Sequence, residues 1–281
     1  MFNLTGTALT CGRSTTFAGL IRSILPALVL VCLLGSSALH AQDDKLPKGG
    51  AILDKYVEVT GGKAAYEKLT NRVTQATFEM VGQGLKFSMT IYAARPDKMY
   101  AVMESEAFGK IEKGTDGEVV WEMNVMTGPQ IKEGEERALV LRGAAFDAVP
   151  QWRKLYKQVE CVGVEAIDGK PCYKIVLTPK EGQPETRYYG KESNLLVKTE
   201  LTLMLPAGTI PFESYASDYK RVDGILIPHK ARVVVMGSER VMTVEGTKHN
   251  VEMPKDRFKL PEDIQALVDQ RKSEKAEPKK P

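Results

Sequence analysis

The chain has 281 residues, with 39 basic and 36 acidic side chains and only four cysteines. This near balance of charge gives no electrostatic case for binding nucleic acid, which needs an excess of Lys and Arg against the phosphates. Four cysteines in a chain of this length also exclude a fold that is held together mainly by disulfides.

The first 41 residues have the order of a secretory signal peptide. Arg13 and Arg22 are their only charges, an apolar run covers residues 24–34, and small residues follow the run. The run has about half of the ~20 residues that span a bilayer. Cleavage fits after Ala41 or after Ala38, and an uncleaved N-terminal anchor is the alternative. We expect a periplasmic or secreted mature protein, which keeps 240 of the 281 residues if cleavage follows Ala41.

The remaining chain predicts one domain between two polar segments. Residues 42–50 predict a linker, and the domain follows over 51–268. At its start, apolar residues at helical spacing predict a helix over 51–59, which Gly61-Gly62 ends before a second short helix. Residues 269–281 are rich in Lys and Arg without apolar periodicity and predict a disordered basic tail.

From Arg72 onward the apolar period changes to two, which indicates β-strands. Leu85, Phe87, Met89 and Ile91 alternate with polar residues and form the clearest strand. A strand that holds Phe78 and Met80 precedes it. Further candidates are 98–104, 109–114, 118–125, 157–167, 172–178, 185–190, 195–205, 212–220, 225–236 and 239–248. Asp-Gly turns at 116–117, 168–169 and 223–224 join such runs.

One helix-permissive segment interrupts the strands. It runs from Gly134 to Val149 and is stopped by Pro150, so the helix must pack on one face of the sheet. We therefore predict a mainly β (α+β) fold. Its core is a single curled antiparallel sheet, or incomplete β-barrel, of about 10–11 strands, with short helices on the concave face.

The two cysteines beyond the signal lie on a predicted hairpin. With Asp168-Gly169 as its turn, Cys172 lies opposite Glu165, and Cys161 is four residues further along. At about 3.3 Å per residue these sulfurs are roughly 13 Å apart, which is too far for a bridge. We predict two free, half-buried thiols.

Each predicted strand offers one apolar face, and many carry methionine, a flexible residue that suits either core filling or a deformable cavity. About eight strands is the size at which side chains just fill a barrel, so a wider sheet needs helices or a ligand to fill it.

The sequence shows no recognisable catalytic site. His229 and His249 are far apart, belong to no catalytic motif, and are interpreted as surface or strand-edge residues. Neither has cysteine or carboxylate partners at metal-ligand spacing. We predict no catalytic residues, no metal and no cofactor.

Several turn and strand segments together resemble bacterial envelope proteins of the LolA/LolB-like superfamily, the outer-membrane lipoprotein-sorting proteins. The segments are Thr60-Gly61-Gly62-Lys63, 115–121 (TDGEVVW), 167–175 (IDGKPCYKI), Asn194-Leu195-Leu196-Val197 and 218–230 (DYKRVDGILIPHK). The similarity covers roughly residues 50–262. It implies an incomplete barrel of about eleven strands with helices across its apolar concave side, and a carrier of acyl chains or other lipids.

We accordingly predict a non-enzymatic carrier or binding protein that holds a lipid, an acyl chain or a lipoprotein in an apolar cavity. The expected partners are a lipid or lipidated protein and a membrane of the envelope, and we expect a monomer. The alternatives are a structural or interaction module with a self-filled core, and an enzyme with an unrecognised site. The predicted ligand-binding residues are Phe78, Met80, Phe87, Met89, Trp121, Met123, Leu201 and Leu203 on strands, with Leu139 and Phe146 from the helical lid.

Overall fold

The computed structural model describes residues 45–205 and 208–276, and the predicted signal peptide lies outside them. Within these ranges, thirteen antiparallel strands form one open sheet. The strands of the first half are β1 (Asn71–Met80), β2 (Leu85–Ala94), β3 (Lys98–Ser105), β4 (Gly109–Thr115), β5 (Val120–Asn124) and β6 (Gly128–Lys132). Those of the second half are β7 (Tyr156–Ile167), β8 (Lys170–Pro179), β9 (Glu185–Gly190), β10 (Leu196–Leu205), β11 (Gly208–Val222), β12 (Ile225–Val235) and β13 (Ser238–His249).

Each half is a meander in which consecutive strands are neighbours. The strand order is β6-β5-β4-β3-β2-β1-β13-β12-β11-β10-β9-β8-β7, so the two meanders meet where β1 pairs with β13. Arg72 pairs with His249 at one end of this seam, and Met80 pairs with Arg240 at the other. The strand that is first in the chain therefore lies in the middle of the sheet, beside the last.

Five helices accompany the sheet in the described residues. They are α1 (Gly49–Val59), α2 (Lys63–Glu67), α3 (Gly134–Ala144), α4 (Trp152–Leu155) and α5 (Glu262–Ala276). Ile52, Leu53 and Val57 of α1 pack in one cluster with Ile175 and Leu177 of β8. We call the sheet face that carries these β8 side chains the inner face, and the opposite face the outer face.

Helix α3 shows that the sheet is curled around the inner face. It contacts both β5 and β10, which are eight positions apart in the strand order. Eight strand spacings cover about 38 Å in a flat sheet, whereas the 11 residues of α3 extend only about 16 Å. The sheet must therefore bend to bring both strands to one short helix, and the inner face is its concave side.

Two hairpin turns require an Asp-Gly pair, and the loop after α1 requires a glycine. The hairpins β7–β8 and β11–β12 turn on Asp168-Gly169 and Asp223-Gly224, and all four residues have positive φ, as a tight hairpin turn demands. After α1, Gly61 has φ 138°, and a Cβ there would lie 2.7 Å from the carbonyl oxygen of Gly224. The loop between α1 and α2 can thus lie directly on the β11–β12 turn.

The predicted hairpin register around the cysteines is confirmed. Cys172 pairs with Glu165, as the Asp168-Gly169 turn requires, and a bulge between Cys161 and Gly163 shifts Cys161 by one residue to pair with Ile175. Both thiols are free; Cys161 is partly buried and Cys172 is fully buried. Burial raises the pKa of both thiols, so they are poor nucleophiles.

The structure corrects the prediction of about 10–11 strands. The sheet has thirteen, and β6 was not recognised because Gly128-Pro129 and a single isoleucine give it no alternating pattern. The helix predicted to reach Val149 ends at Ala144. The amide of Ala145 still donates to Leu141, but that of Phe146 donates to the Pro96 carbonyl in the β2–β3 turn.

At the C-terminus, α5 occupies residues 269–276, for which the composition predicts a disordered tail. Glu262 and Asp263 lie in its first turn, where negative charge is favourable. Ile264 is 0% exposed, and Arg271 forms an ion pair with Glu133 at 2.6 Å. The buried Ile264 and the Arg271–Glu133 ion pair are thus contacts that hold α5, whose other residues show no amphipathic pattern.

Candidate functional site

The inner face carries a continuous set of apolar side chains between the helices and the β1–β2 turn. The inner face can be followed from strand to strand through the cross-strand pairs. Ile175 of β8 pairs with Arg187 of β9, and the residues that pair in succession on the next strands are Thr199, Ser214, Val233, Arg240, Met80 and Leu85. We call the following set the inner apolar surface: Phe78, Met80, Phe87, Met89, Met103, Leu201, Leu203, Phe212, Val233 and Met242.

Most of the inner apolar surface remains partly exposed. Phe87 and Met89 are buried, whereas Phe78, Met103 and Met242 pack against them with exposed area left over. A sheet whose core were filled by its own side chains would bury such residues completely. The arrangement can therefore shield additional apolar groups from water.

Eight of the ten predicted ligand-binding residues lie on the inner side. Phe78, Met80, Phe87 and Met89 occupy neighbouring positions on β1 and β2. Leu139 of α3 shares a cavity of about 200 Å³ with Leu201 and Leu203 of β10. Phe146 follows α3 and packs against the cluster of Tyr66, Leu69 and Ile225.

The structure places Trp121 and Met123 apart from the other eight, on the outer face. Trp121 pairs with Gly114, whose neighbour Tyr100 pairs in turn with Tyr92 on the opposite side from Phe87. Trp121 is 3% exposed, and the Arg257 guanidinium lies 4.3 Å from the Tyr92 ring centre. Alternation within a strand shows which residues share a face, but not which face is concave.

A buried charged network lies between the helices and β9. Glu185 is 4% exposed and forms ion pairs with Arg142 of α3 at 3.2 Å and with Arg187 at 2.6 Å. The hydroxyl of Tyr156 donates to the same carboxylate at 2.6 Å. Burial alone raises the pKa of Glu185, but Arg187, Tyr156 and Arg142 outweigh it and lower that pKa below its usual value.

A second polar group lies at the far end of β1 on the inner face. Thr74 and Thr247 bring their hydroxyl oxygens within 3.3 Å across the seam, and Arg72 and His249 form the next pair on that face. Burial lowers the pKa of the Arg72 guanidinium, whose carbon lies 6.0 Å from the centre of the Phe146 ring. Sequence analysis missed these residues, although Arg72, Thr74, Ala76, Phe78 and Met80 share one parity.

Both histidines were interpreted as surface or strand-edge residues, but both side chains are buried. His229 is buried within β12, and the side chain of His249 is 1% exposed at the end of β13. Within residues 45–205 and 208–276, no three His, Cys, Asp or Glu side chains are placed to hold a metal ion. In those same ranges, no helix has the length and apolar character needed to cross a membrane.

The two ends of the sheet differ in their turns. The Asp-Gly turns lie at one end, which we call the Asp-Gly end. Consecutive antiparallel strands put the turns β1–β2, β3–β4, β5–β6, β8–β9, β10–β11 and β12–β13 at the other, the apolar-turn end. Exposed large apolar side chains occupy that end: Val81, Phe108, Val125, Met126, Met204 and Met236. The Phe108 ring stacks 5.9 Å from that of Phe87, so this end is continuous with the inner apolar surface.

This curled, open antiparallel sheet with helices across its concave face is similar in fold to several solved structures. A LolA superfamily protein from Nitrosomonas europaea superposes with a TM-score of 0.51 at 13% identity, over 76% of this chain and 99% of that one. A DUF1329 family protein from Desulfovibrio piger gives 0.53 at 16% identity, over 76% and 98%. A predicted outer membrane lipoprotein-sorting protein domain from Vibrio parahaemolyticus gives 0.50 at 9% identity, over 75% and 96%.

The predicted resemblance is therefore confirmed at the level of the fold. No protein-family model matches the sequence. No curated protein matches it either.

Proposed function

We propose that this chain is an exported, non-enzymatic periplasmic carrier or binding protein. Its cargo is a lipid, an acyl chain or the acyl group of a lipidated protein, which lies on the inner apolar surface. The observation that carries this proposal is the partial exposure of Phe78, Met80, Met103, Phe212 and Met242 on a concave face. Each CH₂ group of a cargo shielded there contributes about 0.8 kcal/mol.

The compartment follows from the first 41 residues, whose order of charge, apolar run and small residues is that of a secretory signal. A carrier for acyl chains is useful in an aqueous space between membranes, since free chains are insoluble there. The fold shared with LolA superfamily proteins supports a carrier, and so does the continuity between the inner apolar surface and the apolar-turn end.

Native mass spectrometry of the purified protein tests the proposal. We expect co-purifying lipid with the wild-type protein and its loss in Met242→Glu, because the new carboxylate lies among Phe78, Met89 and other apolar side chains of the inner face. The matched control is Thr243→Glu, which places the same charge one residue further along β13 on the exposed outer face.

Both variants must melt within a few degrees of the wild type for the comparison to count. A wild-type protein without lipid, whose inner face also fails to bind added acyl chains, would contradict the proposal.

The apolar-turn end favours a second, compatible role in interaction. Four turns and the end of β10 place exposed apolar side chains at one end, and Val125, Met126 and Met236 are 74%, 81% and 75% exposed. Scattered single apolar residues are normal on a surface, but a set gathered at one end marks an interaction site. We take the partner of this end to be the surface of an envelope membrane, from which cargo enters.

A further inference from the structure

The seam between β1 and β13 changes from apolar to polar along its length. From the apolar-turn end, the inner-face residues of β1 are Met80, Phe78, Ala76, Thr74 and Arg72. On β13, Arg240 lies beside Met80 at the rim, and the inner-face residues beyond it follow the same order: Met242, Val244, Thr247 and His249. One strip of the concave face therefore has the polarity of an amphiphile, with its polar end beneath the helices.

Arg72 carries a charge that no acidic side chain neutralises. Among the described residues, no carboxylate oxygen lies within the 4.0 Å limit of an ion pair with its guanidinium. Arg95 flanks the same Phe146 ring at 5.6 Å, yet it is paired with Asp147. The difference isolates Arg72 as a partly buried cation that no acidic side chain of the described residues pairs with, so an anionic ligand can supply the counter-charge.

His249 adds a buried side chain with spare hydrogen-bonding capacity. Its Nδ1 lies 2.9 Å from the Asp223 carboxylate, which can only accept, so Nδ1 donates. Its Nε2 is buried and has no hydrogen-bond partner in the structure. The cross-strand pairing puts this imidazole beside Arg72 on the inner face.

We propose that Arg72 and His249 form the site that receives the acidic group of a single-chain amphiphile, such as a fatty acid, whose tail lies along the inner apolar surface. This inference rests on the proposed function and names the class of cargo. The guanidinium binds a carboxylate through two parallel hydrogen bonds. With Nδ1 donating to Asp223, Nε2 of His249 donates a further hydrogen bond to the same carboxylate when the ring carries both protons.

The length of the strip suits one chain. Eight residues of β1 separate Met80 from Arg72, which is about 26 Å along a strand. The hydrocarbon core of a bilayer is about 30 Å thick and two chains deep, so one acyl chain needs about 15 Å. A tail of about 15 Å that starts at Arg72 ends between Ala76 and Phe78, at the near edge of the inner apolar surface, so the strip is long enough to hold it.

Binding of palmitate and of methyl palmitate to the full, delipidated chain tests the site. The two probes share a tail, and only palmitate carries an acidic group. We expect the wild type to bind palmitate more tightly than the ester. Arg72→Met should reduce palmitate affinity by at least about tenfold while leaving that of the ester nearly unchanged, since a hydrogen-bonded charge is lost from one probe only.

The matched control is Arg240→Met, the same substitution on the same face at the other end of the seam, which should leave the ratio of the two affinities unchanged. If Arg72→Met does not fold, Arg72→Gln keeps a polar side chain without the charge, and the same fall in the ratio is expected. Equal affinities of the wild type for acid and ester, or a ratio unchanged in the Arg72 variants, would overturn this inference alone. Failure of the wild type to bind either probe would instead overturn the proposed function.

Discussion

Glu185 is a buried carboxylate that joins the helical side of the molecule to the sheet. Its carboxylate is shared by Arg142, Arg187 and Tyr156, and it is almost completely buried. Such a group stabilises a fold only while every partner is present, because removing one leaves a buried charge uncompensated. The network joins α3 to β9 and β7, so its loss would affect both the lid and the sheet beneath it.

We predict that Glu185→Gln lowers the free energy of unfolding by about 3 kcal/mol, which for a domain of this size is roughly 10 °C in melting temperature. Thermal unfolding at neutral pH measures it. Glu181→Gln is the control, because Glu181 is exposed and offers Arg142 only its backbone carbonyl. A shift in Glu185→Gln no larger than in the control would show that the network contributes nothing net.

Glu185 should also make the stability of the protein depend on pH in the acid range. The pKa of Glu185 is lowered in the folded state, so its stabilisation is present above the pKa of an unfolded glutamate and is lost as the pH falls through the folded value. The difference in melting temperature between wild type and Glu185→Gln should therefore shrink below about pH 4.

Helix α3 is bound to the sheet mainly through polar contacts. Only Ala144 of its residues is buried. Besides Arg142, Glu136 pairs with Lys132 at 3.1 Å, and Arg137 donates to the carbonyl of Glu118. By contrast, α1 buries Ile52, Leu53 and Val57. An element with few buried apolar contacts opens at a lower free energy than its surroundings.

We predict that the amides of α3 exchange with solvent faster than those of α1, a helix of the same length. Hydrogen exchange followed by mass spectrometry separates the two segments. Addition of palmitate should slow exchange in α3, since Leu139 shares its cavity with Leu201 and Leu203 of the inner apolar surface. Equal protection of both helices without ligand would show that α3 is no more readily opened than α1.

At the scale of elements, local patterns predicted the structure well where a strand alternates and a turn is chemically specific. Leu85 to Ile91 and the Glu165–Cys172 register are examples. The sequence signal was insufficient for β6, where proline removes the pattern, and for α5, whose residues are mostly charged. The inner apolar surface was predicted only in part, because the parity that groups Trp121 with Met123 does not reveal the face on which they lie. Arg72 and His249 are paired only through the long-range contact of β1 with β13.

For the whole molecule, the apolar-turn end predicts attachment to membranes. Vesicles of phosphatidylethanolamine and phosphatidylglycerol should sediment the wild-type protein, and the double substitution of Met126→Asp with Met236→Asp should reduce the bound fraction several-fold. The control combines Gln83→Asp with Thr127→Asp, which adds the same charge at the same end and removes no apolar side chain. Equal sedimentation of both double variants would rule out this end as the attachment site.

The position of β1 beside β13 also determines the order in which the chain can fold. Strands β2 to β6 and β7 to β12 each pair with a neighbour in sequence, so these hairpins close short loops. The seam instead joins residues as far apart as Arg72 and His249, and its loop-closure entropy is recovered only when both halves are already present. We expect docking of the two preformed halves to be the slow step. A cargo lying along the seam would then hold together the part of the molecule that assembles last.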